Sequence, residues 1–345
     1  MTQQPIVTYI CNIPSHAIAD FWRDEVYAHL SVNQMRICMA IRDTTDARAA
    51  IVRQLNRHRI PVVAWIVPEE QAATRDFRMH DADAFQARYQ HIHQWSVAHG
   101  LRWDAIGIDI EPDIRDTIRF GDEPNVDYHT LIQRFGNRWH IEDATINYQQ
   151  IMASIHADGY TSESYEVPFV RDDRVSQSTV ARRLLGLPDL AAHQTVVRLC
   201  SSTARPYGPG LIATYAPEYT AAIIGNVDAG DDNNHPLSLV ELMRDVAHVA
   251  ACGVKHIYIA EMTHIFGQGW HEHIAQPTWL RQPLPVADET HRQVARMRAG
   301  LRALLWAGAR PAVLLPLLIP VLLLVRRMLR SEPASHASAS ERSRI

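Results

Sequence analysis

The residues best suited to chemistry are Asp109 and Glu111, which close the run Trp103-Asp104-Ala105-Ile106-Gly107-Ile108-Asp109-Ile110-Glu111-Pro112-Asp113. Side chains on a strand point alternately to its two faces. Ile106, Ile108 and Ile110 therefore share one face, and Gly107, Asp109 and Glu111 share the other. The isoleucines belong against an apolar layer, which turns both acids to the opposite side. Residues two apart on a strand lie about 6.6 Å apart at Cα, so the two carboxyls can interact. Like charges in a confined site disfavour double ionisation, and one group is then expected to hold a proton. A proton-holding acid beside a carboxylate is the division of labour that glycosidic bond cleavage uses.

The same alternation argument supplies further candidates. In Thr161-Ser162-Glu163-Ser164-Tyr165-Glu166 either parity turns a Glu inward. Glu166, nearer the C-terminal end, is the expected substrate-binding residue, with Tyr165 the alternative. Val197 and Leu199 against Arg198 and Cys200 turns Arg198 inward, where it can pair with Asp109. Ile257 and Ile259 facing out leave Tyr258 facing in. Asp228 and Glu261 are candidates by position, each closing a strand-like run; Glu261 has the wrong parity unless its strand has already ended. Trp65, Trp270 and Trp279 are candidate platforms for stacking a sugar ring. His264 with His271-Glu272-His273 matches no standard zinc spacing, so no metal ligand is assigned. No GxSxG, P-loop or dinucleotide fingerprint is present, and no cofactor is expected.

Positioning these groups is the task of alternating elements. Strand-like runs near 6–13, 35–41, 61–67, 105–111, 159–167, 195–201, 221–227 and 255–261 alternate with helical stretches. The helices are expected near 15–30, 43–57, 82–99, 142–157, 175–185, 212–220, 238–252 and 288–307. Eight βα repeats in about 300 residues predict a single (β/α)8 barrel over 1–307. Local punctuation agrees. Ser238 with Glu241 reads as a capping box, Thr44, Thr45 or Asp46 can cap the second helix, and Gly100, Gly186 and Gly253 sit where helices end. The long connections 112–141 and 262–287 both emerge at the C-terminal ends of strands, the face that carries barrel active sites.

On that frame Asp104, Gly107, Asp109 and Glu111 resemble the fourth-strand DxxDxDxE signature of glycoside hydrolase family 18, the chitinase-like barrels, with Gly107 at the position of the motif's second Asp. The resemblance implies that Glu111 protonates the glycosidic oxygen. It implies that Asp109 orients and stabilises the substrate N-acetyl group as that group attacks the anomeric carbon, and that Asp104 is the motif's first acid. A hydrolase acting on an amino-sugar or related glycan is the expectation. The residues also allow a divalent-metal-dependent lyase or isomerase, with Asp109, Glu111, Glu166 and Glu261 as oxygen ligands, and a non-catalytic carbohydrate-binding barrel.

A net charge of −4, with no long basic stripe before the tail, does not suggest a counterion-release nucleic-acid binder. Cys11, Cys38, Cys200 and Cys252 form no metal or redox pattern and are expected as reduced, mostly buried thiols. The chain opens directly on a strand, with neither signal-peptide features nor an N-x-S/T acceptor, which suggests a cytoplasmic barrel. Residues 311–325 form a continuous apolar run reaching about 22 Å as a helix, short of a ~30 Å hydrocarbon core. Adding 303–309 supplies the length but places Arg310 within the span, where it must snorkel or pair. The expectation is a membrane-anchoring segment over 308–328 followed by a disordered tail, 329–345.

Overall fold

The computed structural model describes residues 4–72, 74, 76–112, 118–119, 125–126, 133–134, 138–225, 236–281, 288–310 and 312. Its centre is a closed barrel of eight parallel strands. They are β1 (Ile6–Cys11), β2 (Arg36–Ile41), β3 (Val62–Ile66), β4 (Ala105–Asp109), β5 (Ser162–Glu166), β6 (Gln194–Arg198), β7 (Ala221–Gly225) and β8 (His256–Ala260). Each pairs with its neighbours in sequence, and β8 closes the barrel on β1 through pairs such as Val7 with Ile257. A short antiparallel ribbon, Ile118–Arg119 with Asn125–Val126, lies in the long connection after β4.

The helices are α1 (Ile18–Phe21), α2 (Asp24–Val32), α3 (Asp46–Arg57), α4 (Ala82–His99), α5 (Arg138–Ala157), α6 (Phe169–Val175), α7 (Val180–Leu185), α8 (Gly208–Tyr215), α9 (Leu239–Ala251), α10 (Met262–Gly267), α11 (His271–Ala275) and α12 (Asp288–Gly308). Two helices expected from the sequence have different bounds. The stretch 15–30 breaks at Trp22 and Arg23, where Trp22 leaves helical geometry and buries its ring. The stretch 175–185 forms a helix only from Val180; Ser176–Thr179 separate it from α6, which the sequence did not mark, and Asp173 at the end of α6 receives the backbone N–H groups of Ala181 and Arg182. The sixth helix begins at Gly208, earlier than the expected 212, with Pro209 in its first turn, where proline is tolerated. Thr45 caps α3, Gly100 and Gly186 close α4 and α7 in the left-handed conformation, and the Ser238–Glu241 capping box is formed.

The alternation separates two apolar layers. Ile106, Ile108, Ile257 and Ile259 face the helices and are buried. Ile10, Cys38, Val63, Ala105, Tyr165, Val196, Cys200, Ala221, Ile223 and Tyr258 fill the barrel interior. Small residues on one strand make room for large ones on another. A Cβ on Gly107 would lie 2.6 Å from Tyr165 Oη, so the tyrosine ring uses the space that glycine leaves. Cys11, Cys38 and Cys200 are buried thiols and Cys252 is half-buried. The expected anchor, 308–328, lies outside the described residues apart from 308–310 and 312, and the tail 329–345 lies wholly outside them. Among the described residues no helix is long and apolar enough to cross a membrane.

Candidate functional site

Asp109 is the last residue of β4, and Glu111 follows one residue beyond the bridge residue Ile110. Ile106, Ile108 and Ile110 are buried toward the helices, which fixes the inward parity of Gly107, Asp109 and Glu111. A single rung extends the sheet here. Phe77 bridges Ile110, and its carbonyl accepts the Glu111 backbone N–H at 2.8 Å. Phe77 is itself pinned by the ring of Phe85, 5.0 Å away. Glu111 is therefore held by the loop after β3 as well as by its own strand.

Arg198, the last residue of β6, joins both acids. Its Nη1 donates to Glu111 Oε1 at 2.5 Å, and its Nη2 donates to Asp109 Oδ1. The three side chains are partly exposed at the barrel mouth. One guanidinium neutralises one of two carboxylate charges, which offsets the like-charge repulsion expected from the sequence. Burial lowers the pKa of Arg198, against an opposing pull from Cys200 and from Asp76. Asp76 is an addition to the site that the sequence did not mark. It sits in a polar stretch with no periodic signal and comes near only because Phe77 bridges β4.

Beneath these groups lie aromatic rings. Trp65 meets Tyr165 edge-on with centroids 6.1 Å apart, and Tyr165 meets Tyr258 at the same spacing. Trp65 is half-buried, and its indole N–H has no acceptor among the described residues. Tyr165 Oη lies 3.1 Å from Cys38 Sγ. Burial, then Cys38 and Glu163, raises the Tyr165 pKa well above the tyrosine range, so the hydroxyl keeps its proton.

A second polar network occupies the opposite end of the interior. Arg36 donates to Glu163 at 3.1 Å and to Tyr258 Oη at 3.3 Å, and Tyr258 donates to Glu163 at 2.5 Å. Arg36 also pairs with Asp104. Asp104 stands five residues before Asp109, roughly 16 Å along the strand, and is not part of the mouth cluster. Tyr258 faces inward as expected but belongs to this lower network. Glu163, not Glu166, is the inward glutamate of β5. Glu166 points to the helix layer, where Arg174 and Tyr219 donate to it.

The remaining candidates divide. Glu261 follows the end of β8 at the N-cap position of α10 without a side-chain capping hydrogen bond; Thr263 donates to its carboxylate, and it acts electrostatically on buried Cys11 at the end of β1. Trp270 stacks edge-on with His264 and packs against the outer core. Trp279 is buried, its indole N–H held by the Ile274 carbonyl. Asp228 lies outside the described residues. No group of three or more His, Cys, Asp or Glu suited to a metal ion is found among the described residues.

No family model matches the chain, and no curated protein matches it. Solved structures do. The PgaB (BpsB) glycoside hydrolase domain from Bordetella bronchiseptica is 8% identical, with a TM-score of 0.47 over 79% of this chain and 98% of that one. A GH18 chitinase from Pseudoalteromonas aurantia is 12% identical, with a TM-score of 0.45 over 78% and 98%. A xylose isomerase domain protein from Planctomyces limnophilus is 10% identical, with a TM-score of 0.45 over 81% and 99%.

Proposed function

We propose that the chain is a glycoside hydrolase-like enzyme acting on an amino-sugar or related glycan, with Glu111 as proton donor and Asp109 as the group that steadies developing positive charge. The observation that carries the reading is the Asp109–Arg198–Glu111 cluster at the C-terminal end of β4, above Trp65. Active sites of this barrel form at that end. In the resting arrangement Arg198 serves both acids. A neutral sugar that displaces Arg198 from Glu111 leaves the guanidinium on Asp109 and frees Glu111 to take up a proton and pass it to a leaving oxygen. The half-buried Trp65 offers part of its ring to a sugar.

The deciding measurement is kcat and KM for wild type, Glu111→Gln and Asp109→Asn on glycosides with poor and good leaving groups, with and without chelator. Glu111→Gln keeps the shape and removes the proton. Turnover on the poor leaving group should fall by about 10²–10⁴-fold, with KM little changed and a smaller loss on the good leaving group. Near-wild-type turnover would sink the acid assignment. Loss of activity in chelator, restored by magnesium or manganese, would move the barrel to metal-dependent carbohydrate chemistry.

We further infer that residues 311–325 anchor the barrel to a membrane. An all-apolar stretch of this length, with Arg326, Arg327 and Arg330 beyond it, suits lipid better than a barrel surface. The full chain should sediment with phospholipid vesicles in high salt; recovery in the supernatant would refute anchoring.

A further inference from the structure

The direction of α12 and the character of its last turn bear on how the barrel sits on that membrane. The start of α12 lies beside the start of α8, since a Cβ on Gly210 would touch the Thr290 carbonyl. Arg298 then reaches Thr214 at the end of α8, and Arg302 reaches Glu218, shortly before β7 begins. The helix therefore runs antiparallel to the strands, from the mouth to the opposite end. At 1.5 Å per residue it is roughly 31 Å long, against roughly 17 Å for a five-residue strand.

Its last turns are apolar all round. Leu304 is 72% exposed and Trp306 46% exposed, and they flank the buried Leu305 on opposite sides. Val175, at the end of α6, adds a third exposed apolar side chain. From Ala303 to Val325 the only charged residue is Arg310. Its guanidinium is turned back toward the barrel. It lies 4.7 Å from the centre of the Trp306 ring and donates to the Trp306 and Ser176 carbonyls and to Gln177. A side chain folded back onto the protein in this way matches a snorkelling arginine. The run itself falls short of a hydrocarbon core by roughly 8 Å, which draws the preceding segment Leu304–Arg310 to the membrane boundary. Tryptophan and arginine are the side chains that suit the boundary this segment would occupy.

We propose that the end of α12, with Val175, rests in the interfacial layer of a lipid bilayer, so that the barrel stands on its N-terminal face and the Asp109–Glu111 mouth opens away from the membrane. This rests on the anchor reading above. The site then serves glycans in the surrounding solution or matrix, not head groups of the bilayer that holds it.

The test uses the full chain in phosphatidylcholine–phosphatidylglycerol vesicles, in a Cys252→Ser background. An environment-sensitive fluorophore is attached through Leu304→Cys or, on the mouth side at the start of α9, through Val240→Cys, a position 79% exposed. Lipids with brominated acyl chains serve as the quencher. The Leu304→Cys label should lose about half its emission or more, as expected for a group 5–10 Å into the boundary, and the Val240→Cys label should be unaffected. Vesicle-bound chain in which neither label is quenched, or in which the Val240→Cys label is quenched, overturns the docking while the anchor stands. Chain that fails to sediment with the vesicles overturns both.

Discussion

At the scale of single residues, the mouth is governed by one cation shared between two anions. Removing that cation while keeping its bulk leaves Asp109 and Glu111 as neighbouring like charges, which favours proton uptake by one of them. Arg198→Met should therefore move the acidic limb of the kcat/KM–pH profile upward by about one unit or more, and Arg198→Lys should move it less. An unchanged profile in Arg198→Met would show that Arg198 does not set the protonation of the pair. Gly107 makes a second residue-scale case. The chitinase-like motif places an acid there, but this chain places Tyr165 Oη against that spot. Gly107→Ala must push the hydroxyl away from Cys38 and should destabilise by about 1–3 kcal/mol. Adding Tyr165→Phe removes the nearest atom but leaves ring carbons at 3.0 and 3.1 Å, so it should restore part of the loss in thermal unfolding. Equal losses in the single and double variants would place the cost elsewhere.

At the scale of elements, the strands were legible because their outward faces carry isoleucine and valine at period two. β4 shows the pattern most clearly, and its parity follows directly. β5 does not show it. Ser162, Glu163, Ser164, Tyr165 and Glu166 are all buried, and neither face is apolar, so local pattern gave no preference between the two glutamates. Register decides instead: Asp109 pairs with Tyr165, and the ring fills the gap at Gly107. Asp76 was illegible for a related reason, since it reaches the site through one long-range rung and not through any periodic segment. Capping is more local and reads directly. Ser238→Ala removes the acceptor of the Glu241 N–H and should cost about 1 kcal/mol, read as a lowered midpoint in urea. A titrating contact ties α2 to α10 and α11. His29 lies 4.7 Å from the His271 ring and 5.5 Å from the Phe266 ring. Burial, then His271, lowers its pKa to about 4. Because the folded value lies below the unfolded one, this group's contribution is complete above about pH 6.5 and is lost as pH falls toward 4. His29→Phe should flatten the stability decline across that window; an unchanged decline would assign it to other groups.

At the scale of the whole molecule, the question is which part of the C-terminal region belongs to the barrel. Strand pairing is already complete at β8 on β1, so nothing after Ala260 is needed to close the sheet. The helix layer is not complete there. Asp172 is fully buried, and its carboxylate accepts from Arg298 at 2.8 Å, from Arg302 at 2.7 Å and from Tyr215 at 2.6 Å. Arg298 and Arg302 both come from α12 and also pair with Glu218. Val294 and Leu305 of α12 are buried as well, Leu305 against Val180 and Ala181 of α7. A chain ending before Asp288 takes both arginines from Asp172 and opens its site to water, so these ion pairs and the apolar burial of α12 are lost together. A chain ending after Arg310 keeps all of these contacts, together with the stacking of Arg310 on Trp306. The shorter truncation should therefore remain folded with an unfolding midpoint close to that of the full chain, and it should no longer sediment with vesicles. The longer one should lose several kcal/mol of stability or fail to fold. Equal stability for the two truncations would show that α12 is an appendage of the membrane segment and not the closing helix of the barrel.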